Sequence, residues 1–260
     1  MRVIAVQLDS VWEDPAASIA RAKQLLDSAR PEPGSLIVLP EMYATGFSMN
    51  AVEIAETPNG PAHRFLKELS LATSCYVMGG IATRNQQRLT NNSLLFSPAG
   101  LQLASYEKQQ PFTLGGEGAH YQAGNQSVVV DCGEFCLSPL ICYDLRFPEL
   151  ARRAVMAGAN LLVVIANWPS PREAHWTALL KARAIENQAY VIGVNRTGRD
   201  PTLNYTGQSQ IIDPQGQVLA ALDNEETTLS ADLDLAALVE YRTRLPFLQD
   251  IRLEFFAPHS

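Results

Sequence analysis

The chain has 260 residues, 47% of them hydrophobic, and a formal net charge of -7 at pH 7. That length supports one sizeable core, and the acidic balance disfavours nucleic acid and anionic membrane surfaces as partners. No stretch approaches the roughly 20 apolar residues of a membrane span, and the first residues lack the apolar core of a signal peptide; four cysteines suggest a reducing cytoplasm.

Strand and helix signals alternate along the chain. Residues 2–8 read as a strand, and 15–30 as a helix with Ile19, Ala22, Leu25 and Leu26 on one face and Asp14 as its N-cap. A short buried strand, 36–39, ends at Pro40-Glu41. Gly60-Pro61 opens a helix to about 72, followed by strands 76–82 and 93–97 and a Pro98-Ala99-Gly100 turn into strand 101–106. From 109 to 125 the pattern stops, and Pro111, Gly115, Gly116, Gly118 and Gly124 mark a long surface loop, a feature often tied to function.

Strands resume at 127–130 and 134–142. Then come a helix over 148–157, a strand over 160–166 and a long helix over 171–187, with Trp176, Leu179, Leu180, Arg183 and Ile185 facing inward. A strand at 190–194 precedes a hairpin, 206–212 and 217–221, around Asp213-Pro214-Gln215-Gly216. The last elements are a strand at 229–233 and a helix at 235–242. The tail from about 244 carries Pro246, Phe247, Phe255 and Phe256 and suits packing on a partner subunit or on its own domain. No linker or repeat divides the chain, so residues 1–260 read as a single domain. Hairpins mixed with βα units imply an α/β fold of two packed sheets with helices outside.

Three residues with reactive side chains stand alike, at or just past a strand end. Glu41 follows Leu36-Ile37-Val38-Leu39-Pro40, Lys108 follows Leu103-Ala104-Ser105-Tyr106-Glu107, and Cys142 follows Leu137-Ser138-Pro139-Leu140-Ile141. Strand ends meeting at one sheet edge would bring them into one pocket. A carboxylate there can take the thiol proton and later activate water. A lysine cation favours the thiolate and stabilises an oxyanion, and the backbone N–H of Tyr143 is a second oxyanion donor. Cys132 and Cys136 form a C-x3-C pair near Cys142, but no histidine stands at ligand spacing, so no metal and no organic cofactor is expected; Cys75, Cys132 and Cys136 read as packing thiols.

Leu39-Pro40-Glu41-Met42, Tyr106-Glu107-Lys108 and Ile141-Cys142-Tyr143-Asp144-Leu145-Arg146-Phe147-Pro148-Glu149 resemble the three signatures of the nitrilase superfamily, the carbon–nitrogen hydrolases, in the family's order. Asn91-Asn92-Ser93, Arg183-Ala184-Ile185-Glu186-Asn187-Gln188 and Asp213-Pro214-Gln215-Gly216 extend the likeness over almost the whole chain. The resemblance implies a four-layer αββα sandwich that forms homodimers or larger homo-oligomers, with Glu41 as general base, Lys108 as oxyanion cation and Cys142 as nucleophile. It implies a second glutamate, Glu117, that holds Lys108. One departure is Gln109-Gln110-Pro111 before Phe112, where many relatives carry histidine and leucine; this bears on the loop and on substrate preference.

Ala166-Asn167-Trp168-Pro169 and Gly193-Val194-Asn195-Arg196 look most like the ω-amidase branch, whose members cleave the terminal amide of short dicarboxylate monoamides such as α-ketoglutaramate or succinamate. The expected activity is hydrolysis of such an amide to acid and ammonia through a thioester. Arg172 and Arg196, with Arg146 as another, are candidates for the substrate carboxylate, and Phe47 and Trp168 for pocket walls. Arg146 reads as structural, bridging Asp144 or Glu149, and His175 as a capping or packing residue. Deaminated-glutathione amidase, N-carbamoyl amide hydrolase and nitrilase activities are the alternatives within the family. A catalytically silent binding protein of the same fold is the alternative outside enzymes.

Overall fold

The computed structural model describes residues 1–252. In chain order its elements are β1 (Arg2–Gln7), α1 (Pro15–Ala29), β2 (Leu36–Val38), α2 (Ala51–Ile54), α3 (Pro61–Thr73), β3 (Tyr76–Asn85), β4 (Arg88–Phe96), β5 (Gln102–Glu107), β6 (Val130–Cys132), β7 (Phe135–Ile141) and α4 (Pro148–Met156). There follow β8 (Leu161–Ala166), α5 (Glu173–Asn187), β9 (Tyr190–Asn195), β10 (Thr197–Arg199), β11 (Asn204–Thr206), β12 (Gln210–Ile212), β13 (Val218–Ala221), β14 (Thr227–Asp232) and α6 (Leu235–Arg244). Among the described residues these strands form two six-stranded sheets, ordered β14-β1-β2-β3-β4-β5 and β13-β12-β9-β8-β7-β6, plus the small β10-β11 ribbon.

Alternation within each strand builds the layers. Val3 and Ala5 of β1 face the second sheet and share a core with Leu137, Ile141, Val163, Ile165, Ile192 and Val194. Ile4 and Val6 point the other way, onto Ala22 and Leu26 of α1 and Phe65 and Leu66 of α3. The second sheet repeats this plan: Leu162 and Val164 of β8 and Val191 of β9 turn outward onto Leu150 and Ala154 of α4 and Trp176 and Leu180 of α5. Strands covered on both faces read as continuous apolar runs. That is why β2, β7, β8 and β9 stand out in the sequence. The result is an α/β sandwich of two mixed sheets with helices outside.

Several boundaries differ from expectation for physical reasons. β3 and β4 run longer than the apolar pattern, to a tight turn at Gln86 (φ 55) that lacks the usual Gly or Pro punctuation. The expected strand at 127–130 lies instead at Val130–Cys132. On α5 the buried residues are Trp176, Leu180, Arg183, Ala184 and Asn187, a 4-3-4 spacing that leaves Ile185 48% exposed. The expected strand 206–212 is broken at Gly207 (φ 67), where a Cβ would collide with the Gln7 side chain, and only Gln210–Ile212 joins the main sheet. Phe247 is 55% exposed, whereas Phe255 and Phe256 lie outside the described residues.

Two local features set the site. Pro139 sits inside β7, yet β6 pairs only with Phe135 to Leu137, so its missing N–H falls on a flank where no strand follows. The Ile141 N–H on that same flank is taken by the Asp144 carboxylate at 3.0 Å. Beyond the end of β2, the chain at Leu39 to Tyr43 keeps pairing along β3 through Leu39 N–H to Met78 O, Gly80 N–H to Pro40 O and Tyr43 N–H to Gly80 O. Gly80 is what allows this approach, because a Cβ there would lie 2.6 Å from Glu41 Cα and 2.8 Å from Ile165 Cδ1. Gly80→Ala is therefore expected to cost about 1–3 kcal/mol by overpacking, read as a lower urea midpoint. An unchanged midpoint would mean that the Glu41 backbone is not pinned there.

Candidate active site

The three strand ends meet. Glu41 is fully buried just past β2, Lys108 is 2% exposed just past β5, and Cys142 opens the 3-10 turn Cys142–Arg146 at the end of β7 with φ 47. A side chain on a left-handed residue at a strand end is thrown clear of the sheet, a strained arrangement that is informative at a reactive residue. Lys108 Nζ donates to Glu41 Oε1 at 3.0 Å and to Glu117 Oε2 at 2.8 Å. Glu117 stands in the 3-10 turn Glu117–Ala119 within the glycine-rich loop and is fully buried. Its Oε2 also accepts the Phe112 N–H at 2.6 Å.

Two asparagines complete the cluster. Asn91 on β4 donates through Nδ2 to Glu41 Oε1 at 2.7 Å and to Glu117 Oε1 at 2.9 Å. Asn167, just past β8, gives its backbone N–H to Glu41 Oε2 at 2.8 Å and its Nδ2 to the same oxygen at 3.2 Å. The Asn167 carbonyl accepts from Cys142 Sγ at 3.9 Å. Asn167 thus touches both the carboxylate and the thiol. Both asparagines stand inside sequence motifs, but the motifs alone give them no role. An uncharged amide carries no hint of its partner when that partner lies on another strand.

Charge decides the state of the thiol. Burial raises the Cys142 thiol well above its usual value, Glu41 and Glu117 push it further, and Lys108 and the Asn167 contact offset only part of this. Lys108 favours the thiolate, as expected from the sequence, but burial and the two carboxylates outweigh it. Burial also works against the Lys108 ammonium, but Glu41 and Glu117 outweigh it and hold the group above the ordinary lysine value.

A cavity of about 280 Å³ opens onto Cys142. Phe47, Phe112, Tyr143, Trp168, Arg146 and Arg172 line it. The Phe47 ring lies 5.0 Å from Lys108 Nζ, and Trp168 is fixed by its Nε1 donating to the Arg172 carbonyl at 2.7 Å. Arg172 covers the Phe112 ring at 5.4 Å. Tyr143 stacks edge-on with Phe112 at 5.1 Å, and as the second residue of its turn it has a backbone N–H of the unpaired kind found at helix starts.

Two arginines stand elsewhere than expected. Arg196 does not line the cavity. It is fully buried, donating to Asp9 Oδ1 at 2.9 Å and to the Ser10 carbonyl at 3.0 Å, and it stacks on Tyr205 at 4.6 Å. It braces the back of a wall residue. Arg146 bridges neither Asp144 nor Glu149; it lies 4.7 Å over Trp168 and meets His175 Nδ1 at 3.2 Å. A further wall, built from Trp12, Met49, Leu203 and Tyr205, has no motif to announce it. Asp200 shapes part of it by accepting Thr202 N–H, Leu203 N–H and the Tyr205 hydroxyl. The Asp200-Pro201 pair is the one turn signal there. Among the described residues, no group of three or more His, Cys, Asp or Glu is placed to hold a metal ion.

The profile of the carbon-nitrogen hydrolase family matches residues 2–243, and the chain belongs to that family. It is 36% identical over 252 residues to omega-amidase YafV of Escherichia coli, covering 96% of each chain. It is 34% identical over 256 residues to a 2-oxoglutaramate amidase of Bacillus subtilis, covering 98% of each. Among solved structures, a CN-hydrolase superfamily protein from Xanthomonas campestris with an arsenic adduct in its active site superposes with a TM-score of 0.92 at 33% identity, over 97% of each chain. The family's members are hydrolases of carbon–nitrogen bonds.

The charge arrangement sets a clear expectation for the thiol. Cys142 should react with iodoacetamide only above the range of an ordinary thiol, whose pKa lies near about 8.5. Glu41→Gln removes one of the two charges that oppose the thiolate, so the alkylation midpoint should move to lower pH. Peptide mass spectrometry across pH, which separates Cys142 from half-exposed Cys136, reads both. A midpoint unchanged by the substitution would discard this electrostatic account.

Proposed function

We propose that this chain is an ω-amidase that hydrolyses the terminal amide of a small carboxylate-bearing substrate, such as succinamate or α-ketoglutaramate. The observation that carries the reading is Lys108 held at 3.0 and 2.8 Å by two buried carboxylates, directly behind Phe47 on the wall of a cavity that Cys142 also lines. The likeness to omega-amidase YafV and the Bacillus 2-oxoglutaramate amidase supports the substrate class.

In this mechanism Glu41 takes the Cys142 proton as sulfur attacks the amide carbon. A thiol whose ionisation is opposed by desolvation and by two nearby carboxylates calls for such concerted general-base help. Glu41 is met by four donor contacts, so one must yield to the incoming proton; the Asn167 Nδ2 contact, at 3.2 Å, is the longest. Lys108 Nζ and the Tyr143 N–H receive the charge that develops on the carbonyl oxygen. Glu41 then passes its proton to the nitrogen, and ammonia leaves a thioester on Cys142. Water activated by Glu41 attacks the thioester and releases the acid. Glu117 holds the Lys108 ammonium in place through the cycle. No step calls on a metal or an organic cofactor.

Arg172 and Arg146 on the cavity wall suit the substrate's distal carboxylate, with Arg172 preferred because Arg146 already meets His175 Nδ1 at 3.2 Å. Phe47 and Trp168 form apolar sides. The same reading makes the protein a cytoplasmic homodimer. Free thiols throughout support the compartment. The dimer is supported by apolar side chains left exposed on α5, β13 and α6, namely Ile185 (48%), Val218 (40%), Leu219 (40%) and Val239 (56%).

Ammonia release from succinamate, α-ketoglutaramate, a carbamoyl amine and a simple nitrile tests the reading, with the first two favoured. Cys142→Ala should abolish turnover while leaving the melting temperature nearly unchanged; residual amidase activity in that variant would end the proposal. Arg172→Ala should raise KM for succinamate by roughly 10- to 100-fold, the range that a lost charged contact of about 1.5–3 kcal/mol implies, with little change for a neutral amide. An equal effect on both substrates would remove Arg172 from carboxylate recognition.

A further inference from the structure

Asp144 stands two residues after the thiol, and no step of the chemistry above uses it. Its side chain is nevertheless fully buried. Oδ2 accepts from the Tyr106 hydroxyl at 2.7 Å and from the Ile141 N–H at 3.0 Å, and Oδ1 accepts from the Gln110 N–H at 2.8 Å. One carboxylate thereby ties together β5, the residue that precedes Cys142, and the loop that follows Lys108. The loop is gripped from its far side as well, where the Phe112 N–H donates to Glu117 at 2.6 Å. Between the two anchored amides lies Pro111, which has no N–H to satisfy. Gln110 is two residues from Lys108, and Asp144 is two residues from Cys142. The Gln110–Asp144 contact therefore joins the backbone just past the lysine to the turn that carries the sulfur.

We propose that Asp144 is a positioning residue of the amidase, its ionised carboxylate pinning the lysine-bearing loop to the nucleophile turn, so that turnover on the acid side follows its protonation. The proposal rests on the amidase reading above. Three donors converge on this group, and a carboxylate only accepts. Protonation turns one oxygen into a donor. The Tyr106 hydroxyl on Oδ2 can rotate to receive it; the Ile141 N–H then meets a hydroxyl oxygen, and Oδ1 holds the Gln110 N–H only as a neutral and weaker acceptor, so the pin slackens at both amides.

The surroundings fit this behaviour. Burial pushes the Asp144 carboxyl up to about 6, and the Ile141 N–H, Tyr106 hydroxyl, Lys108 ammonium and Gln110 N–H offset part of the rise. On the neighbouring elements the titratable or charged groups are Tyr106, Glu107 and Lys108 at the end of β5, Cys142, Tyr143 and Arg146 on the nucleophile turn, and Arg183 of α5. The last of these donates to the Leu145 carbonyl at 2.7 Å. The Tyr106 phenol is itself pushed up, first by burial and then by Asp144, so it stays a donor throughout the working range. Above its pKa Asp144 is ionised and the pin is intact; below it the pin loosens.

The experiment measures kcat and KM for succinamate from about pH 4.5 to 9 in the wild type, Tyr106→Phe and Asp144→Asn, with melting curves for each. Tyr106→Phe removes a donor that favours the ionised form, so the acid limb of kcat should move up by about one pH unit. Asp144→Asn should flatten that limb and lower kcat by roughly 100-fold, the scale of a misplaced catalytic group, with KM within about threefold of wild type. If Asp144→Asn fails to fold, the Tyr106→Phe arm decides alone. An acid limb that stays put in folded Tyr106→Phe overturns the proposal, as does an Asp144→Asn enzyme with wild-type kcat and limb. A wild type inert toward every amide tested overturns the amidase reading and this inference with it. An active wild type with an unmoved limb overturns only the inference.

Discussion

The ammonium of Lys108 between the carboxylates of Glu41 and Glu117 is the interaction around which the molecule is arranged. All three groups are at least 97% shielded from solvent, and together they carry one excess negative charge. Such a cluster is tolerable only when every charge has a partner, and removing one partner from a buried pair typically costs about 3–5 kcal/mol. Here the excess charge is spread over neutral donors, the side-chain amides of Asn91 and Asn167 and the backbone N–H groups of Phe112 and Asn167. These donors come from β4, the end of β8 and the loop after β5. Both sheets must therefore be in place before the cluster is satisfied, and fold and site specify each other.

The same excess charge governs chemistry. Releasing the Cys142 proton to solvent would add a second uncompensated negative charge in a low-dielectric hollow, whereas passing it to Glu41 adds none, which favours the proposed concerted route. In that route the cost at rest becomes an advantage in the transition state, because charge moves away from the carboxylates and onto an oxygen that Lys108 would meet.

Much of this is legible in the amino-acid sequence. Leu36-Ile37-Val38 and Leu161 through Ala166 are apolar without alternation because both faces are covered, and their ends point to where Glu41 and Asn167 emerge. The Asp14 cap is legible too, since its side chain accepts the Ala17 N–H three residues on, a local event. What escapes is non-local. Arg196 has the chemistry for a substrate carboxylate, but Asp9 claims it from 187 positions away along the chain, and Arg146, which reads as a bridge to Asp144 or Glu149, instead lies over the Trp168 ring on the cavity wall. Ile185 matches an apolar pattern and still faces outward, because one extra residue rotates a helix position by roughly 100°. The upward shift of the Cys142 thiol sums burial with charges from two strand ends and a loop, and no single motif contains that sum.

Pro139 carries a consequence of a different kind. On the flank of β7 beyond β6 no strand follows, yet Pro139, Leu140 and Ile141 there are buried, where an unpaired backbone donor would be costly. The imino acid supplies no donor at Pro139, and Asp144 already occupies the one at Ile141. The strand that delivers the thiol thus ends in a dry interior with no orphaned amide on that side and no neighbouring strand to crowd the sulfur.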